Sequence, residues 1–154
     1  MEKVCVFFGH RVIFDEEKVK AQLKRVVREL IEQGFSTFWL GGYGEFDALA
    51  DKVTRELKQE FPYIQRVCVL AYLPTNKEEY QYKSQFYDEM FYPEGVELGP
   101  KKFAITRRNK FMVENADVVV ASVSAKIGGA ATALKHAQKL NKKIITLDSE
   151  INSG

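Results

Sequence analysis

The sequence predicts one α/β domain over residues 1–154, built on a doubly wound, five-stranded parallel sheet of order 3-2-1-4-5. Three observations predict it. Apolar strand-like runs alternate with segments of helical periodicity. The runs are nearly continuously apolar, as strands covered on both faces are. A chain of 154 residues with 45% hydrophobic content is the size of one domain and fills one core.

The elements follow in order. Lys3 to Phe8 is an apolar run ended by Gly9, the first strand. Asp15 to Gln33 places Val19, Leu23, Val26, Val27, Leu30 and Ile31 at helical spacing, and Gly34 stops that helix. Thr37 to Leu40 is the second strand, and Phe46, Leu49, Ala50, Val53 and Leu57 mark one face of a second helix. Arg66 to Tyr72 is the third strand. Phe103 to Asn115 reads as a helix feeding a fourth strand, Asp117 to Ser122; Gly128 to Leu140 and Lys143 to Leu147 supply the last helix and strand. Right-handed crossovers place the first and fourth strands side by side at the centre.

One segment departs from this regularity. Pro74 to Lys102 is an insertion longer than most connections in compact domains. With its borders it holds Tyr72, Tyr80, Tyr82, Phe86, Tyr87, Phe91, Tyr92 and Phe103, an aromatic density foreign to disordered chains. It is expected to be ordered, as a short helix on the sheet edge, a contact in a homo-oligomer, or a lid or stacking wall over a ligand.

Composition narrows the function. Lys and Arg number 23 against 21 Asp and Glu, a net charge of +2, which disfavours a general polyanion binder and makes nucleic acid a poor first expectation. The longest apolar runs, such as Val118 to Val123, fall far short of the roughly 20 residues that span a bilayer, and the N-terminus lacks a signal-peptide pattern. A soluble, cytoplasmic protein is expected. Cys5 and Cys68 lie inside strand-like runs and read as buried thiols, and with His10 and His136 as its only histidines the chain has too few ligands for a His/Cys metal cluster. No cofactor or metal is called for.

Ligands of open parallel sheets settle at the carboxyl ends of the strands, where the winding reverses. Three loops there are unusual: Gly9-His10-Arg11 after strand one, Gly41-Gly42-Tyr43-Gly44-Glu45-Phe46-Asp47 after strand two, and the loop reaching Gly128-Gly129-Ala130-Ala131-Thr132 after strand four. Glycine lets backbone N–H groups approach an anion, and each loop opens a helix whose N-terminal dipole favours phosphate or carboxylate. The same glycines also suit tight strand-to-helix turns. Arg11 and Arg108 are the cationic candidates, because guanidinium suits bidentate phosphate recognition, with an ordinary surface charge as the alternative. His10 reads as a donor to a ligand oxygen or as a turn-stabilising group. Asp47 stands where helix capping and ligand contact are equally served. Asn109 and Ser122 are polar neighbours, and Thr132 offers a hydroxyl and an N–H.

Several chemistries lack their motif. G-x-G-x-x-G, the P-loop and the G-x-S-x-G elbow are absent. Glu45 and Asp47 form a carboxylate pair that solvated turn and cap residues explain.

Together, Gly9-His10-Arg11, Gly41-Gly42-Tyr43-Gly44 with Asp47, Arg108-Asn109-Lys110 ahead of Ala116-Asp117, and Gly128-Gly129 with Thr132 resemble the SLOG superfamily of Rossmann-like domains. That group includes the Smf-type DNA-processing proteins and the LOG-type phosphoribohydrolases. The opening motif and compact length look like the small stand-alone bacterial and phage members. The resemblance implies a Rossmann-like domain that binds a phosphate-bearing nucleotide or ADP-ribose-like signal, to sense or sequester it. LOG-like enzymes carry a catalytic arginine before the fourth strand and a glutamate in a glycine-rich run after it. Arg108 matches that arginine, whereas Lys135 falls where the glutamate would stand. Without that carboxylate the resemblance implies binding rather than glycosidic cleavage, with hydrolysis of nucleoside monophosphates, using Glu45 or Asp47, as the alternative.

Overall fold

The computed structural model describes residues 2–41, 44–123 and 128–147. The chain runs β1 (Val4–Gly9), α1 (Glu16–Glu32), β2 (Thr37–Leu40), α2 (Glu45–Glu60), β3 (Gln65–Val69), α3 (Lys77–Ser84), β4 (Glu89–Phe91), a 3₁₀ turn (Lys101–Phe103), α4 (Ala104–Glu114), β5 (Val118–Ser122), α5 (Gly129–Lys139) and β6 (Lys143–Thr146). The strands pair in parallel throughout, in the order β4-β3-β2-β1-β5-β6.

This corrects the expected five strands and their order: six strands are present among the described residues. The additional one is β4, which lies inside the aromatic insertion and pairs with β3 from Val67↔Glu89 to Val69↔Phe91. Three residues are too few to display an alternating pattern, so nothing local announces a strand there.

Strand periodicity sorts the core into two layers. Cys5 and Phe7 of β1, with Val118 and Val120 of β5, point to one face and pack under α1 and α2 with Leu23, Leu30, Phe46 and Leu57. Val6, Phe8, Val119 and Ala121 point to the other, against Met112 and Val113 of α4 and Ala133 and Ala137 of α5. Trp39 stacks on Phe111 with ring centres 5.7 Å apart and meets the edge of Phe91, which fastens β4 to the same layer.

The insertion is anchored by a buried arginine. Arg66, 4% exposed, projects from β3 towards α2, donating to the Thr54 hydroxyl (3.0 Å), the Asp51 carbonyl (3.1 Å) and the Asp51 carboxylate. It also donates to the Phe86 carbonyl and lies against the Tyr87 ring, while the Tyr87 hydroxyl donates to Asp51 at 2.7 Å. Asp51 thus accepts from a strand and from the insertion together, and the buried charge is paired. α3, between these anchors and β3, buries none of its residues. No helix among the described residues is long and apolar enough to cross a membrane.

Candidate functional site

β1 lies between β2 and β5; the chain winds outward from β1 to β4 on one side and then returns through α4 to β5 and β6 on the other, and this reversal opens a crevice above the carboxyl end of β1. A cavity of about 220 Å³ occupies that position. Its β1 side is formed by Phe7, Phe8, Gly9, His10 and Arg11; Gly41 and Asp47 come from the β2–α2 connection and the first turn of α2. Ile105, Arg108, Asn109 and Met112 form the α4 wall, and Gly128 to Ala131 open α5 against it.

Ten of the residues singled out by sequence meet here: Gly9, His10, Arg11, Gly41, Asp47, Arg108, Asn109, Gly128, Gly129 and Ala130. Others do not. Ser122 ends β5 opposite Gly9 without lining the cavity. Thr132 turns its hydroxyl back onto the Gly128 carbonyl (2.9 Å) and faces a neighbouring groove with His136. Gly42 and Tyr43 lie outside the described residues. The sequence reading missed Ile105 and Met112, although Ile105, Arg108, Asn109 and Met112 are spaced i, i+3, i+4, i+7, the stripe of one helix face.

The glycines divide into two kinds. A β-carbon on Gly9 would stand 2.2 Å from the Phe46 ring, and one on Gly41 would stand 3.1 Å from the Arg108 guanidinium. Those two glycines make room for side chains. Gly44, at φ +92, lies against the Arg11 backbone and caps α2. The N-terminus of α2 is also occupied: the Glu45 N–H donates to the Arg11 carbonyl (2.8 Å) and the Phe46 N–H to the His10 carbonyl (3.3 Å). Its dipole is therefore met by backbone rather than turned to the cavity. At Gly128 and Gly129 a β-carbon would meet nothing within 4 Å among the described residues, both glycines are exposed, and the glycine cap offers no side chain to the first N–H groups of α5.

Arg108 is not the surface charge or the free clamp that sequence allowed. It is 2% exposed, and its Nη1 donates to the carbonyls of Gly41 and Val69, both at 2.9 Å, while Nε donates to the Asn109 side chain at 2.9 Å. It ties the ends of β2 and β3 to α4 and forms part of the cavity wall. Arg11, by contrast, is exposed at the mouth. Glu45 is committed to the β1–α1 connection, accepting from the Ile13 N–H at 3.0 Å. Lys135 is exposed on α5 and does not line the cavity. Among the described residues no cluster of three His, Cys, Asp or Glu side chains is placed to hold a metal.

No family model and no curated protein sequence matches the chain. Solved structures do. DNA processing protein A from Streptococcus pneumoniae superposes with a TM-score of 0.71 at 14% identity, over 97% of this chain and 51% of that one. The chain thus spans about half of that protein's length. DNA processing protein A from Helicobacter pylori, described for its single-stranded DNA binding mode, gives 0.69 at 17% identity over 97% and 67%. The molybdenum cofactor carrier protein from Chlamydomonas reinhardtii gives 0.60 at 15% identity over 99% and 81%. At these identities the likeness is one of fold.

Proposed function

We infer, from the SLOG-type Rossmann-like fold of this chain, that it binds a phosphate-bearing nucleotide or ADP-ribose-like ligand above β1 and leaves that ligand intact. The observation that carries the reading is the exposed α5 terminus. No described residue packs where a side chain on Gly128 or Gly129 would stand, and the two glycines face a cavity whose mouth carries the exposed Arg11. Backbone N–H groups, a helix dipole and a guanidinium converging on one small volume suit a phosphate. The likeness to proteins described as binding single-stranded DNA and as carrying a cofactor supports a binding role.

Cleavage is disfavoured by where the carboxylates stand. Glu45 holds a loop, and the position expected of a catalytic glutamate is Lys135, outside the cavity. Asp47 is the acid that does line it, so Asp47→Asn is the variant that separates the two readings.

Calorimetry with pyrophosphate, adenosine monophosphate, ADP-ribose and a short single-stranded oligonucleotide tests the proposal. Binding of the small ligands, weakened by about 1.5–3 kcal/mol in Arg11→Ala, is the expected result. Chromatography after long incubation should show no free base. Binding of the oligonucleotide alone would replace the small-ligand reading. Base release that Asp47→Asn abolishes would replace binding with hydrolysis.

A further inference from the structure

The first turns of α4 separate two cavities. Ile105 and Arg108 face the one above β1, while their neighbours Ala104 and Arg107 face a second, of about 360 Å³, beyond the ends of β3 and β4. Its walls include Tyr72, Tyr92, Val96 and Lys101.

This second cavity is built from within. Arg107 donates Nε to the Val96 carbonyl (2.7 Å) and Nη1 to the Pro100 carbonyl (3.0 Å), which fixes the loop forming the far wall. The Tyr72 hydroxyl donates to the Lys101 carbonyl at 3.3 Å, and the Lys101 ammonium lies 5.8 Å from the centre of the Tyr72 ring. Tyr92 packs against the small cluster of Cys68, Leu70 and Met90, which holds its ring at the strand ends. A wall held by such contacts costs little to order when a ligand arrives. The charged residues that line it are Lys101 and Arg107 at the α4 side and Glu97 on the far loop.

Tyrosine rings interleaved with cations suit a planar base whose attached phosphates are anionic. The placement suits it too. Arg108 donates to the Val69 carbonyl at the end of β3, and Tyr72 stands three residues further along the same chain, so the two cavities flank the same turns of α4. We propose that the Tyr72–Tyr92 cavity receives the nucleobase of the ligand whose anionic end lies in the Arg11–Gly129 pocket. The ligand then has a base at one site and a diphosphate at the other, joined by a ribose. This rests on the phosphate reading above and adds the location of the base.

The probes are pyrophosphate, which has only the anionic end, and ADP-ribose, which has both. ADP-ribose should bind more tightly than pyrophosphate. Tyr72→Leu and Tyr92→Leu, which keep apolar bulk but remove the ring, should each weaken ADP-ribose by about 5- to 100-fold and leave pyrophosphate within about twofold. Tyr92→Phe should retain wild-type affinity. In the unmodified protein, the Tyr72 and Tyr92 ring resonances should shift with ADP-ribose and stay in place with pyrophosphate, a readout independent of variant folding. If both probes bind but neither ring responds nor either Leu variant loses affinity, the base lies elsewhere and this inference falls while the phosphate site stands. If neither probe binds, both readings fall.

Discussion

Arg108 Nη1 donates at 2.9 Å to the Gly41 carbonyl and sits 3.1 Å from where a β-carbon on that glycine would be. The two residues are 67 positions apart, and each explains the other. A guanidinium carried into the crevice needs carbonyls to meet it, and the β2 end presents one only because no side chain intervenes.

Arg108→Ala should therefore destabilise the fold as well as any complex. It removes charge-assisted bonds to Gly41, Val69 and Asn109 and leaves their oxygens facing a void. A loss of about 2–4 kcal/mol is expected from the urea unfolding midpoint. Arg108→Lys should recover only part of it, because a point charge cannot span the same acceptors. An unchanged midpoint for the Ala variant would contradict the stitching role.

Gly9 and Phe46 make a second such pair. A β-carbon on Gly9 would overlap the Phe46 ring, so Gly9→Ala should cost about 1–3 kcal/mol through overpacking. Combining it with Phe46→Leu should cost less than the sum of the single changes, since the smaller side chain makes room. Strict additivity in thermal unfolding would show that the clash is relieved by another route.

Gly129 separates folding from binding. With no described residue within 4 Å of where its β-carbon would be, Gly129→Ala should leave stability within about 0.5 kcal/mol and still weaken pyrophosphate by obstructing the α5 N–H groups. Gly128→Ala should also lose stability, because φ is +111 there. Full pyrophosphate affinity in Gly129→Ala would remove the α5 terminus from the site.

Alkaline pH should unfasten the insertion and loosen the core. Burial, aided by the hydrogen bond to Asp51, pushes the Tyr87 hydroxyl well above its usual 10, and burial pushes the Cys5 thiol well above its usual 9.0. Both groups hold their protons more tightly when folded. Their contribution is complete below about pH 8 to 8.5 and is lost as pH rises, the Cys5 part first, because the unfolded chain releases those protons first. Urea midpoints should be level from pH 7 to about 8.5 and fall above it. Above about pH 10 the fall should be shallower in Tyr87→Phe, by up to about 1.4 kcal/mol per pH unit. Parallel curves for the two proteins would show that Tyr87 ionises alike in both states.

Much of the architecture is written locally. Cys5 and Phe7 against Val6 and Phe8, and Val118 and Val120 against Val119 and Ala121, are each apolar on both faces, which only a doubly covered strand tolerates. The helical spacing of Val19, Leu23, Val27 and Leu30 needs no partner to be read, and all four are buried as it implies. β4 was not legible, since its three residues become a strand only when β3 presents its edge.

The site was legible in its membership and not in its roles. By itself the sequence determined which loops crowd the carboxyl end of the sheet, because strand and helix periodicities follow from nearest neighbours along the chain. Only the tertiary structure decided that Gly9 and Gly41 lie beneath Phe46 and Arg108 while Gly129 is exposed and meets no described side chain, that Arg108 is buried and Arg11 exposed, and that Thr132 turns away. Those distinctions depend on contacts between residues dozens of positions apart, and a glycine carries no mark of which side chain will come to rest against it.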